Sequence, residues 1–118
     1  MRYKLKKQIV FPMSTVPDNF PDHSPNNLFS LCQVLAQLNH AQDVLCFLQD
    51  LCTQGELSAM AERWQVCQLL DQGDLSYREI REKTKASLTT ITRVAKFLGK
   101  KSFNGYAKAL TKARELKE

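Results

Sequence analysis

The sequence predicts an all-α protein of about six helices, and three observations carry that reading. Apolar residues recur at helical spacing from Leu28 onward, as in Leu28, Leu31, Cys32, Leu35 and Leu38. Helix-start signatures stand where later periodic stretches open: Thr53 with Glu56, and Ser76 with Glu79, each set a hydroxyl ahead of a carboxylate at capping-box spacing. Nothing alternates with the period of two that a half-buried strand requires over a useful length.

Residues 1–26 read as a flexible, proline-rich N-terminal extension. Pro12, Pro17, Pro21 and Pro25 interrupt it too often for a continuous helix. Arg2, Lys4, Lys6 and Lys7 make its start basic, so an arm that touches phosphates is the alternative to a loose tail. Residues 27–118 then read as one helical domain. After the first stripe, Asn39 can cap a second helix that carries Val44, Leu45, Leu48 and Leu51. Thr53 and Glu56 open a long third helix, lined by Leu57, Met60, Ala61, Trp64, Cys67 and Leu70, which stops before Gly73. Ser76 and Glu79 start a fourth at Tyr77, anchored by Ile80. Thr84-Lys85-Ala86 connects it to a fifth, capped by Ser87, that buries Leu88, Ile91, Val94 or Ala95, and Leu98 and ends at Gly99. A last amphipathic segment carries Tyr106, Leu110 and Ala113.

Charge is divided along the chain. Residues 76–118 carry a formal net charge of +8 and residues 28–75 one of −5, within an overall +5. A basic half beside an acidic half suits contact with nucleic acid through one end of the molecule. Cys32, Cys46, Cys52 and Cys67 form no C-x-x-C pair and have no histidine at zinc-finger spacing, so each reads as a small buried hydrophobe. No signal-peptide pattern or bilayer-length apolar run is present, which gives a reduced, cytoplasmic protein with no membrane partner. His23 and His40 are the only histidines, and no carboxylate pair, Ser/His/Asp set or glycine-rich phosphate loop accompanies them. An enzyme is not expected.

Residues 76–98 concentrate the functional signal. A short helix, a tight connection and a second helix led by small hydroxyl side chains make a helix-turn-helix. Such a leading end, with arginines beside it, enters a major groove and reaches base edges and phosphates. Thr89, Thr90 and Thr92 lie near that end, and Arg78 and Arg81 flank Ile80 on the preceding helix. The leucine density of the first two helices exceeds what a small bundle hides, which points to a second copy of the chain. A two-fold pair also sets two recognition helices one duplex turn apart, roughly 34–36 Å.

The stretch from Asp50 to Leu98 resembles the Trp repressor superfamily. Four features carry the likeness: Thr53-Gln54-Gly55-Glu56 leading into Ala61-Glu62-Arg63; Leu69-Leu70 running to Gly73, Leu75-Ser76 and Arg78-Glu79; Ala86 in the turn; and Thr90-Ile91-Thr92-Arg93 in the second motif helix. The resemblance implies an intertwined all-helical homodimer on double-stranded DNA. Carried over by position, Arg78 and Arg81 approach phosphates or flanking bases, while Ser87, Leu88, Thr89, Thr90 and Thr92 face the groove. The superfamily often has glycine where Lys85 stands, which implies a left-handed backbone there.

The superfamily's corepressor, tryptophan, lies between two arginines, with a hydroxyl and backbone carbonyls from the partner chain nearby. Arg63 and Arg93 match the arginines, and Thr53 matches a threonine near the ligand carboxylate. The glycine after the second arginine is here Val94, and a small serine one turn before the motif's end is here Phe97. Both fill the volume an indole needs, so these residues read as remnants of a ligand pocket plugged by Val94 and Phe97. The chain resembles the branch without an evident tryptophan pocket, with no cofactor and an effector unknown. The resulting expectation is a bacterial, sequence-specific repressor working without tryptophan. A tryptophan-dependent Trp operon repressor and a helical interaction scaffold without DNA binding stay open beside it.

Overall fold

The computed structural model describes residues 25–117. Most of the extension expected over residues 1–26 lies outside the described residues. Six helices follow in order: α1 Pro25–Gln37, α2 Ala41–Leu51, α3 Gln54–Gln72, α4 Tyr77–Thr84, α5 Leu88–Leu98 and α6 Gly105–Lys117. The described residues contain no strand. The chain divides after Leu51 into two compact units.

In the first unit, α1 begins at Pro25, two residues before the boundary expected at residue 27. Proline is tolerated there because a helix leaves its first N–H groups unpaired in any case. The α2 helix begins at Ala41, one residue later than Asn39 as cap would set it, and the His40 carbonyl accepts from the Asp43 and Val44 N–H groups. No side chain between residues 27 and 51 is fully buried, and Val34, Leu45 and Leu51 stand exposed.

In the second unit, α3 packs against α4 and α5, these two pack together, and α6 lies on α5. The core is Val66, Cys67 and Leu69 of α3, Ile80 of α4, Ala86 of the turn, Ile91 and Val94 of α5 and Leu110 of α6. Trp64, Leu70, Leu75, Leu98 and Tyr106 close its margin. The face that α3 turns inward therefore differs from the expected stripe: Val66 and Leu69 enter the core while Met60 is exposed. Apolar residues run around α3 on more than one face, so spacing alone does not select the buried one. Leu88 is corrected in the same way, because it is 49% exposed although its spacing from Ile91 suggested burial. It is the first residue of α5 and lies beyond the reach of the core.

The cysteines also separate. Only Cys67 fills the core; Cys32 and Cys46 are exposed and Cys52 is intermediate. Burial pushes the Cys67 thiol up to about 11, with the Asp71 carboxylate adding to the effect, so it remains a protonated apolar filler. The α6 helix is tied back to α3 where Arg114 Nη2 donates to Asp71 Oδ2 at 2.7 Å.

Both capping boxes form. Ser76 Oγ accepts from the Glu79 N–H at 3.1 Å, and Glu79 Oε1 accepts from the Ser76 N–H at 2.9 Å. Thr53 and Glu56 repeat the exchange at 3.1 and 2.7 Å. Gly73 ends α3 in the left-handed conformation, at φ 75°. Lys85 ends α4 in that same conformation, at φ 67°, with its N–H on the Arg81 carbonyl. The strain that lysine bears there is offset locally. Thr84 Oγ1 donates to the Ile80 carbonyl at 2.7 Å and accepts from the Ala86 N–H at 3.0 Å, so one hydroxyl joins the last turn of α4 to the connection.

Two predictions follow from these bonds. The Ser76 backbone N–H, and then its hydroxyl, hold the Glu79 carboxyl below its usual 4.5, and Thr53 does likewise for Glu56. A carboxylate with a lowered folded pKa contributes stability above its unfolded value and loses it as pH falls through the folded one. The urea midpoint of the full chain therefore drops as pH falls below about 4.5, and the Glu56→Gln, Glu79→Gln variant loses part of that dependence. In the turn, Thr84→Val leaves the Ala86 N–H without its partner and costs about 1–3 kcal/mol. Lys85→Gly changes stability by less than about 1 kcal/mol, since relief of left-handed strain is offset by glycine's backbone entropy. Urea titrations of the two variants give the ordering.

Candidate nucleic-acid interface

The turn delivers the start of α5 to the surface. Ser87 is its N-cap, in extended backbone, with Oγ accepting from the Thr90 N–H at 3.1 Å. Ile91 and Val94, completely buried, hold the inner face against α3 and α4. The opposite face is left free: Ser87, Leu88, Thr89 and Thr92 are exposed, and Thr90 is half-buried between them. Arg78 and Arg81 are exposed on α4.

Two hollows border this leading end. One, of about 480 Å³, is lined by Arg78, Arg81, Glu82, Lys85, Ala86 and Ser87. Arg78 Nε lies 3.5 Å from Glu82 Oε1 on the same helix, a water-exposed pair that a phosphate can displace. The second, about 720 Å³ and open, is lined by Leu88, Thr89, Thr92, Arg93, Lys96, Phe97 and Lys101. The structure thus brings Ser87 together with Arg78 and Arg81, and sets Leu88, Thr89 and Thr92 beside three further cations. Of these, Lys96 and Lys101 were not singled out by sequence. The signal was their place in the basic half, and only the fold shows that they share a groove with the threonines.

The residues matched to a ligand pocket are only partly brought together. Arg63 and Arg93 line one depression of about 470 Å³, with Phe97, Phe103, Gly105 and Tyr106. Thr53 is not among its lining residues; its hydroxyl and N–H are engaged in capping α3. Val94 lies in the core at 1% exposure. Phe97 is half-buried, its ring stacked on Phe103 with centroids 5.9 Å apart and planes 15° from parallel. The Arg93 guanidinium sits over the same ring, 4.7 Å from its centroid. Phe103 had no periodic signal in the sequence, being itself exposed in the connection before α6. Among the described residues, no group of three or more His, Cys, Asp or Glu could hold a metal ion, and no helix is long and apolar enough to cross a membrane.

Comparison with known proteins is consistent with the all-helical fold. The family model described as Trp repressor protein matches residues 26–114. The uncharacterized protein YerC of Bacillus subtilis (strain 168) is 32% identical over 88 residues, which cover 75% of this chain and 83% of that one. With its helix-turn-helix built as described and most of its length matched, the chain belongs to the Trp repressor family, a family of regulators and not of enzymes.

Proposed function

We propose that the chain is a sequence-specific DNA-binding transcription regulator, a repressor that acts as a homodimer on a two-fold symmetric operator in the bacterial cytoplasm. One observation carries this reading: the hydroxyl-bearing start of α5 is exposed and bordered by Arg78, Arg81 and Lys85 in one hollow and by Arg93, Lys96 and Lys101 in another. A helix so placed offers short polar side chains to base edges while the cations beside it neutralise phosphates. Family membership supports it. The dimer rests on a separate point. Val34, Leu45 and Leu51 leave apolar surface uncovered, and a second copy supplies the cover.

In this reading tryptophan is not the corepressor. Arg93, which would clasp one side of an indole, is engaged on the Phe97 ring, and Phe97 lines the depression beside it. The depression between Arg63 and Arg93 favours the alternative, a tryptophan-dependent repressor, and binding measurements separate the two.

Gel retardation of a random-sequence duplex gives the first test. Retardation weakens steeply as salt rises, because bound Lys and Arg release condensed counterions. Arg81→Ala weakens binding to all sequences and lowers the salt slope by about one. Retardation of no duplex at any salt would leave a protein-interaction scaffold as the reading. Adding L-tryptophan leaves the retardation unchanged and gives no binding heat with the full chain; a saturable change in either would establish the tryptophan-dependent alternative.

A further inference from the structure

We infer that Phe103, in the connection between α5 and α6, is a positioning residue for DNA: through the Phe97 ring it holds the Arg93 guanidinium where a backbone phosphate of a bound duplex meets it. The inference rests on the DNA-binding reading above and adds to it one contact, made by an arginine that the resemblance matches to a ligand pocket and not to DNA. Arg93 is exposed and lines the groove that contains Thr89 and Thr92. It lies five residues behind Leu88 on α5, so about 7.5 Å of helix rise separates it from the leading end. A major groove is about 8.5 Å deep, so a helix whose leading end meets base edges carries Arg93 near the rim, where the phosphates run. No acid neutralises it. Among the described residues the ion pairs are those of Arg78, Lys112 and Arg114, and the chain holds no Asp or Glu between Glu82 and Glu115.

The guanidinium does not hang loose over that groove. It sits 4.7 Å from the centroid of the Phe97 ring, and Phe97 is stacked on Phe103. Phe103 is 85% exposed, so its ring buries little surface of its own, and its ring contact is with Phe97. The connection that carries it is ordered by its own bonds. The Lys101 N–H donates to the Lys96 carbonyl at 3.0 Å, the Ser102 N–H to the Gly99 carbonyl at 3.1 Å, and the Asn104 N–H to Ser102 Oγ at 2.8 Å. Asn104 then turns the chain through a left-handed residue at φ 65°, a conformation that asparagine tolerates better than most, and its carbonyl accepts from the Lys108 N–H of α6. Phe103 is thus delivered to Phe97 by the folded connection. The stack restrains in advance an arginine that would otherwise lose its rotamer freedom on meeting DNA. A guanidinium on a ring still directs N–H groups to phosphate oxygens, so the contact leaves its charge available.

The test uses the full chain and a duplex consensus selected from a random pool, with single phosphates replaced by neutral methylphosphonates. One such replacement lowers wild-type affinity, and Arg93→Ala abolishes that sensitivity and lowers the salt slope by about one. Phe103→Ala lowers affinity about threefold, the cost of ordering one long side chain on binding, and weakens the sensitivity at that same phosphate only. Phe103→Tyr keeps the ring and restores both. In the Arg93→Ala background, Phe103→Ala has no further effect, because the two residues act on one contact. Helicity by circular dichroism and molar mass in solution are the same for Phe103→Ala as for the wild type. The inference is overturned if Phe103→Ala binds the duplex as the wild type does, or if its loss multiplies with that of Arg93→Ala. A changed molar mass would also overturn it, by placing the ring between copies of the chain. Failure of the wild type to retard any duplex would overturn the DNA-binding reading itself and this inference with it.

Discussion

The direction in which α5 leaves its turn decides what the rest of the unit can do, and three small features set that direction together. Lys85 reverses the chain through a left-handed residue, Thr84 clamps the reversal to the last turn of α4, and Ala86 drops its methyl into the core at 3% exposure. A larger side chain at Ala86 would lift the start of α5 away from α4, since packed interiors accept little added volume. Ile80 and Ile91, both fully buried, then lock the two helices face to face, and Val66 of α3 lies in the same core cluster. With one side of α5 so held, its opposite side stands exposed. The same contacts that stabilise the unit therefore create the exposed edge of the candidate interface.

What could be read from the chain follows the range of the forces involved. The starts of α3, α4 and α5 are set by bonds across three residues, so Thr53, Ser76 and Ser87 announced them and the helices begin at Gln54, Tyr77 and Leu88. Choice of face is decided by distant neighbours and was harder. Leu88 carried the right spacing for burial yet lies too close to the helix start to meet the core, and Val66 and Leu69 displaced Met60 on the inner side of α3. Exposure of Cys32 and Cys46 has the same origin, because an apolar stripe says nothing of what covers it. For the candidate interface, the hydroxyls and arginines were legible from their order along the chain. The groove that sets Thr89 and Thr92 beside Lys96 and Lys101 depends on the folded turn and had no trace in spacing.

The candidate interface and the depression on α3 and α6 share a wall. Arg93 and Phe97, one helical turn apart, line the groove that contains Thr89 and Thr92 and also the depression that contains Arg63 and Tyr106. Their contact, guanidinium over ring, is what separates the two spaces. Phe97 is held in turn by Phe103, from the connection that leads into α6. No other described side chains border both spaces. Phe97 thus makes the partition between the two spaces part of α5 itself, while Val94 packs into the core behind it. A helix braced in this way has its outer face formed by its own side chains.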